Sequence, residues 1–374
     1  MLRSIVPSVL LLALATQGCD IGGKTIDPKP IEPSSLEIGD DTDLGAGDDL
    51  GLPTPVELHG HLHVSGTELR DASNQRFQLR GVSSMWLNWE DDGYAESLAG
   101  LKWMRNNWHV NLIRAAVGVE PDGAYLSVNN PAKANPEKAQ AQVAKIVENA
   151  IAAGVYVIID WHAHQAQQHT PESVAFFTEM ASKYAGVPNV LFETFNEPSN
   201  EPNNEPPIVL NWTADVKPYH EAVVAAIRAA GDPEHESVVI LGTTTWSQDV
   251  DIAAKDPVAG TNLMYTLHFY ACEHGGSLIN KAKFALDRGA PLFVTEWGAT
   301  KADGGTKGEV CQVEAQRWMD FMNPRSISWA AWKFDDCKDS TCFLTDNAPL
   351  DGGWTSNYLQ GHGLFLRARL QEQY

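Results

Sequence analysis

From about Val56 onward, short apolar runs alternate with longer amphipathic stretches. The runs FQLRGV (77–82), VNLIRAA (110–116), VYVIID (155–160), VLFETF (190–195), VVILG (238–242), LMYTLHF (263–269), PLFVTE (291–296) and ISWAAW (327–332) read as buried strands. Between them lie stretches with apolar residues three and four apart, such as PEKAQAQVAKIVENAIAAG, PESVAFFTEMASKYAG and EVCQVEAQRWMDFM. That spacing gives one apolar face on a helix. Ahead of the first run, LHVSG and TELRDASNQRFQLRG read as short hairpins. Eight strand–helix units in one domain predict an α/β fold, a (β/α)8 TIM barrel carrying a short N-terminal hairpin. A doubly wound open sheet is the competing arrangement, but no G-x-G-x-x-G turn follows any strand, so the dinucleotide signature is missing.

Composition and charge narrow the class. The 374 residues are 43% hydrophobic, enough for a large core. The formal charge of −21 disfavours nucleic acid or an anionic membrane surface as partner and suits a neutral substrate. At the start, Arg3 precedes an apolar stretch from Val9 to Ala15 and small or polar residues ending at Cys19. This reads as an export signal over residues 1–19, too short to span a bilayer. ATQGC also resembles a bacterial lipoprotein processing site with Cys19 as the lipidated residue, although Thr16 stands where Leu is usual. An ordinary signal peptide cleaved nearby is the alternative. Residues 20–55 hold nine acidic residues against two lysines, with repeated Pro and Gly and no aromatic residue, so a disordered linker is expected there. The remaining span, 56–374, is the expected barrel domain.

Five cysteines leave an odd one in an exported chain. With Cys19 acylated, Cys272, Cys311, Cys337 and Cys342 form an even set for an oxidising compartment. Cys337 and Cys342 are five apart and bridge easily, which leaves Cys272 with Cys311. None has zinc-ligand spacing.

In a TIM barrel the polar residues at the C-terminal strand ends converge. Here those ends offer Arg114, Asp160-Trp161-His162, Asn196-Glu197, His268-Phe269-Tyr270, Glu296-Trp297 and Trp332. Glu197 is instructive, because a charge ending a buried strand costs desolvation unless something uses it. Two carboxylates across a barrel mouth are what glycoside hydrolysis requires, one as nucleophile and one as acid/base. Such neighbours do not both ionise easily, so one is expected to keep its proton near neutral pH. Arg114 and the Tyr270 hydroxyl would favour the charged form of a nucleophile. Flat indole faces at Trp332 and Trp89 suit a sugar ring, whereas Trp103, Trp108 and Trp318 read as core packing.

NEP at 196–198 with TEWG at 295–298 resembles glycoside hydrolase family 5. IRAA, YVIIDWH, PNVLFETFNEP, GTTTWSQDV, MYTLHFYACEHG, LFVTEWG and SWAAW follow in the order of its bacterial endo-β-1,4-glucanase (cellulase) branch, over about residues 58 to 370. The resemblance implies a retaining hydrolase with Glu197 as acid/base and Glu296 as nucleophile. It implies that Arg114, His162, Asn196, His268 and Tyr270 orient the carboxylates and grip the sugar at the cleavage point. Trp332 matches a platform at that sugar, Trp89 one toward the non-reducing end and Trp246 a leaving-group-side position; Lys338 resembles a lysine that bonds distal sugars. Met85 and Trp86 stand where the branch usually has His and a small residue, and Gly118 near a frequent Tyr. These departures put the non-reducing side of the cleft, not the carboxylates, in question.

The expected partner is a β-glucan polysaccharide or oligosaccharide, with no cofactor and no metal, and the chain is expected to be a monomer. Location is expected at the outer surface or periplasmic membrane through a lipid anchor, or in the medium. Other β-1,4-linked polymers such as glucomannan, mannan or xyloglucan are alternative substrates. A glycan-binding lipoprotein without catalysis is a further alternative, disfavoured because both carboxylates and Arg114 are present. The H-x-H pairs in HGHLH (59–63) and DWHAH (160–164) invite a metal, but in a strand His59, His61 and His63 would share a solvated face.

Overall fold

The computed structural model describes residues 45, 51–90, 92–201, 207–304 and 309–372. The expected leader, Cys19 and nearly all of the expected linker, residues 20–55, lie outside the described residues. The folded part is entered at Thr54, two residues before the expected boundary. Thr54 and Glu57 form a capping box on the short helix Pro55–His59, and Val56 N–H bonds to Gly154 O at 3.0 Å. A hairpin follows, β1 (His63–Ser65) with β2 (Glu68–Arg70).

Eight parallel strands then close a barrel: β3 (Arg80–Ser84), β4 (Leu112–Gly118), β5 (Tyr156–His162), β6 (Val190–Glu193), β7 (Val239–Leu241), β8 (Leu263–Tyr270), β9 (Leu292–Gly298) and β10 (Trp329–Phe334). They lie in chain order, with β10 completing the ring against β3. All eight expected strands are present, displaced by no more than a few residues. Alternation along each strand sorts side chains into two layers. Leu112, Ile158, Leu191, Ile240, Met264 and Phe293 fill the barrel interior. Ile113, Ile159, Phe192, Leu241, Leu267 and Val294 face the surrounding helices, where Trp103, Trp108 and Trp318 are buried as expected. The helices Leu98–Trp108, Pro136–Ala153, Thr170–Lys183, Lys217–Ala230, Gly276–Asp287 and Gln312–Met322 form that outer layer.

One irregularity matters for function. Against β8, Thr266 pairs with Phe293 and His268 with Glu296; against β10, Trp329 pairs with Val294 and Ala331 with Trp297. Each comparison shows β9 carrying one extra residue. The bulge breaks the alternation, so Thr295 and Glu296, adjacent in sequence, both reach the interior.

Two disulfides are formed, Cys272–Cys311 and Cys337–Cys342, the pairing read from spacing. The expectation that His59, His61 and His63 share a strand face is corrected. His59 ends the Pro55–His59 helix and bonds Asp71, His61 stacks on His235, and His63 opens β1 beside Asn74. Gly60, with φ 59°, separates them: a capping glycine breaks the period a strand would need.

Tight strand contact gives a test of the barrel. A Cβ on Gly81 would lie 1.9 Å from Leu112 O, a backbone atom, whereas one on Gly276 meets nothing within 4 Å. Gly81→Ala is expected to lose about 1–3 kcal/mol or more in urea unfolding. Gly276→Ala should be neutral or slightly stabilising.

Candidate active site

Beyond the C-terminal ends of the strands lies a cleft of about 440 Å³ whose lining includes Trp86, Glu197, Trp246, His268, Glu296 and Trp332. Its chemistry is organised from below by Arg114, fully buried on β4. The guanidinium donates Nε–H to Glu193 Oε2 (2.7 Å), Nη1–H to Glu296 Oε2 (3.2 Å) and Ser83 Oγ (3.3 Å), and Nη2–H to Asn196 Oδ1 (2.7 Å). Asp160 Oδ2 is 2.9 Å from Nη2. Burial alone would strip the charge; the carboxylates of Asp160, Glu193 and Glu296 more than offset it, and the Arg114 pKa is raised.

The carboxylates around it respond differently. Burial pushes Asp160 up to about 7, only partly opposed by Arg114, and raises Glu193 as well. Asp160 Oδ2 accepts from His162 Nδ1 at 2.6 Å. Burial and the Arg114 charge hold His162 far below its ordinary value, so its ring is neutral with the proton on Nδ1. The ring lies parallel to Trp332 at 5.3 Å. Because Asn196 Oδ1 is turned to Arg114, the amide nitrogen is left to face away from it.

Glu296 sits between two donors, Arg114 and the Tyr270 hydroxyl, which donates to Oε1 at 2.7 Å. Burial and the Glu296 carboxylate keep the Tyr270 hydroxyl protonated and able to donate. Glu197 Oε1 accepts from His268 Nδ1 at 2.9 Å, and Oε2 lies 3.5 Å from His164 Nε2. His268 Nε2 is 2.9 Å from Thr295 Oγ1, whose proton goes to Glu193 Oε1 at 2.6 Å. Nε2 of His268 therefore donates, and a charged ring would donate from Nδ1 to Glu197 as well. Burial disfavours that charge, but Glu296 and Glu197 more than compensate and the pKa is raised. Burial would also raise Glu197; hydrogen bonds from His164 and His268 outweigh it and bring the carboxyl below the usual range. The expectation that one of the two carboxylates keeps its proton does not fall on Glu197 in the free protein, where the two imidazoles favour the ionised form. One oxygen each from Glu197 and Glu296 lies within 4.8 Å of the other, with His268 equally close.

The aromatic residues line the approach. Trp89 is 55% exposed and tilts against Trp86 at 5.1 Å; Trp86 in turn stands edge-on to His162 at 4.3 Å. The two departures in sequence are one packing unit: a Cβ on Gly118 would fall 1.9 Å from Asn88 Oδ1 and 3.1 Å from the Trp86 ring. Met85 packs with Trp86 against Tyr270 and Trp332. Trp246, 45% exposed, is presented by a turn in which Thr245, Trp246 and Ser247 all have positive φ. That turn is held by Trp246 N–H to Pro198 O and Ser247 Oγ to Asn196 O. Lys338 is exposed in the Cys337–Cys342 loop that follows β10. Lys333 instead is buried, 5.8 Å from the Trp332 ring.

Sequence reasoning missed Glu193 and His164. Glu193 is hidden inside an apolar run, and His164 stands out in the sequence only as part of the H-x-H pair in DWHAH. Glu193→Ala, which leaves Arg114 Nε and two threonine hydroxyls without their acceptor, is expected to cost about 3–5 kcal/mol in urea unfolding. A loss under about 1 kcal/mol would show that the buried cluster does not depend on it.

A model of the cellulase family, glycosyl hydrolase family 5, matches residues 70–338. An endoglucanase of Clostridium saccharobutylicum is 39% identical over 329 residues, 87% of this chain and 68% of that protein. Endoglucanase 5 of Pectobacterium carotovorum subsp. carotovorum is 37% identical over 321 residues, 85% of this chain and 59% of that one. The chain therefore spans about three fifths to two thirds of these relatives' length. The catalytic domain of Thermobifida fusca endoglucanase Cel5A superposes with a TM-score of 0.75 at 30% identity, covering 86% of this chain and 100% of that one.

Proposed function

Since the chain belongs to glycosyl hydrolase family 5, the cellulase family, we propose that it is an endo-acting β-1,4-glucanase that works with retention of configuration. The observation that carries this reading is the separation of the two carboxylates, oxygens within 4.8 Å at the barrel mouth. A retaining mechanism needs carboxyl groups about 5–5.5 Å apart, whereas inversion needs about 6.5–9.5 Å to admit a water.

The roles follow from surroundings. Glu296, held by Arg114 and Tyr270, is oriented as a carboxylate and attacks the anomeric carbon. Glu197 protonates the departing oxygen, then deprotonates the water that hydrolyses the glycosyl-enzyme. The Asn196 amide nitrogen, oriented by Arg114, supplies a donor for the sugar 2-hydroxyl, a contact that strengthens as charge develops. Trp332, Trp86 and Trp246 line the cleft, and Trp89 lies against Trp86, so all four can offer faces to sugar rings. Names of the relatives support a β-glucan as substrate. The N-terminal leader and the two disulfides support export to an oxidising compartment.

Reducing-sugar release by residues 54–374 on carboxymethylcellulose, mixed-linkage glucan, glucomannan and xyloglucan tests the proposal. Rapid cleavage of the first two is expected, and Glu296→Ala should lower kcat by about three orders of magnitude or more with a normal melting curve. Preference for glucomannan or xyloglucan would keep the mechanism and move the substrate. No turnover on any of the four would contradict it.

A further inference from the structure

The two oxygens of Glu197 are not equivalent. Oε1 is taken by His268 at 2.9 Å, on the barrel side. Oε2 has only the longer 3.5 Å approach of His164 Nε2 and is the oxygen left free to serve a glycosidic oxygen. His164 lies on the loop after β5, and its side chain remains 35% exposed where it lines the cleft. Its backbone is fixed: His164 N–H bonds to both oxygens of Glu120 at 3.0 Å, Gln165 N–H bonds to Oε1 at 2.6 Å, and Ser199 N–H bonds to His164 O. The Trp86 ring stands edge-on to the imidazole at 5.7 Å. A loop histidine so held presents Nε2 to the free oxygen of the proposed acid.

We infer that His164 is a positioning and proton-storing residue for Glu197: it holds the catalytic proton in the free enzyme and returns it to Glu197 Oε2 when the glycan enters. The inference rests on the glucanase reading above. The proton moves from His164 Nε2 to Glu197 Oε2, then to the leaving oxygen as the C1–O bond breaks and Glu296 bonds to C1. In the second half, Glu197 takes a proton from water while the water oxygen bonds to C1 and the C1–Glu296 bond breaks. The proton gained restores the His164–Glu197 pair, so each turnover is balanced.

The surrounding charges fit this role. Burial opposes charge on His164, but Glu197, Glu120 and Glu296 facing it raise its pKa to about 9. Arg114 from β4 and the neutral His162 from β5 stand in the same site, and His268 from β8 competes for Glu197 through its other oxygen. His274, after β8, is half-buried, and desolvation holds it below its ordinary value. The pair titrates as a unit. It keeps one proton until His164 loses it, so the tautomer with the proton on Glu197 is a constant fraction up to about pH 9. With His164 gone, Oε2 has no imidazole beside it and must carry its proton itself, which a carboxyl does only to lower pH.

His164→Gln, compared with wild type on carboxymethylcellulose from pH 5 to 10, tests this. The basic limb of kcat/KM should move to lower pH by at least about one unit, roughly a tenfold larger relative loss at pH 9 than at pH 6. On a dinitrophenyl cellobioside, whose leaving group needs no proton, the variant should stay within about twofold of wild type. A melting curve and His164→Asn guard against misfolding. An unmoved basic limb in folded variants overturns the inference, as does an equal loss on both substrates at every pH. Wild type inactive on every β-glucan would instead overturn the glucanase reading from which the inference starts.

Discussion

Everything at the barrel mouth depends on a cation that has no access to water. Arg114 is fully buried, and a guanidinium there survives only if every face meets an acceptor. The acceptors come from five places in the chain: Ser83 on β3, Asp160 on β5, Glu193 on β6, Asn196 just beyond it and Glu296 on β9. Satisfying one side chain thus fixes the relative position of five barrel strands, β4 and the four that supply acceptors, at their C-terminal ends. The same contacts orient Glu296 and turn the Asn196 amide, so the constraint that stabilises the charge also builds the site.

Electrostatics then separate the two glutamates. A single network runs from Glu296 through Arg114, Glu193 and Thr295 to His268 and Glu197. At one end Arg114 and Tyr270 hold the proposed nucleophile in place. At the other end two imidazoles flank Glu197, one tied into the barrel and one facing the cleft. Identical side chains acquire distinct duties through what surrounds them, which is the general way paired carboxylates divide acid and nucleophile.

Much of this was legible in the sequence, for identifiable reasons. Each barrel strand shows as an apolar run, and the runs end in residues such as Asn196-Glu197 and Glu296-Trp297 whose polarity is wasted unless they converge. Glu193 was not legible, because one acid inside VLFETF looks like the end of a strand rather than a buried acceptor. Its signal lay across strands: Arg114, Glu193, Thr266 and Thr295 are polar residues at interior positions of four different runs. The bulge that turns Glu296 inward was also invisible, since strict alternation cannot reveal where it fails. HGHLH misled because Gly60 takes a positive φ and divides three histidines that a strand would align.

The central claim is that Glu296, positioned by the buried arginine, bonds covalently to the sugar. The most direct measurement is mass spectrometry of the enzyme incubated with a dinitrophenyl 2-deoxy-2-fluoro-cellobioside, followed by peptide mapping. The account predicts one fluoroglycosyl group per chain, carried by the peptide containing Thr295-Glu296-Trp297 and absent in Glu296→Ala. A label on Glu197 would contradict the assignment of roles. No label from an enzyme that turns over β-glucan, together with an inverted first product, would contradict the covalent mechanism itself.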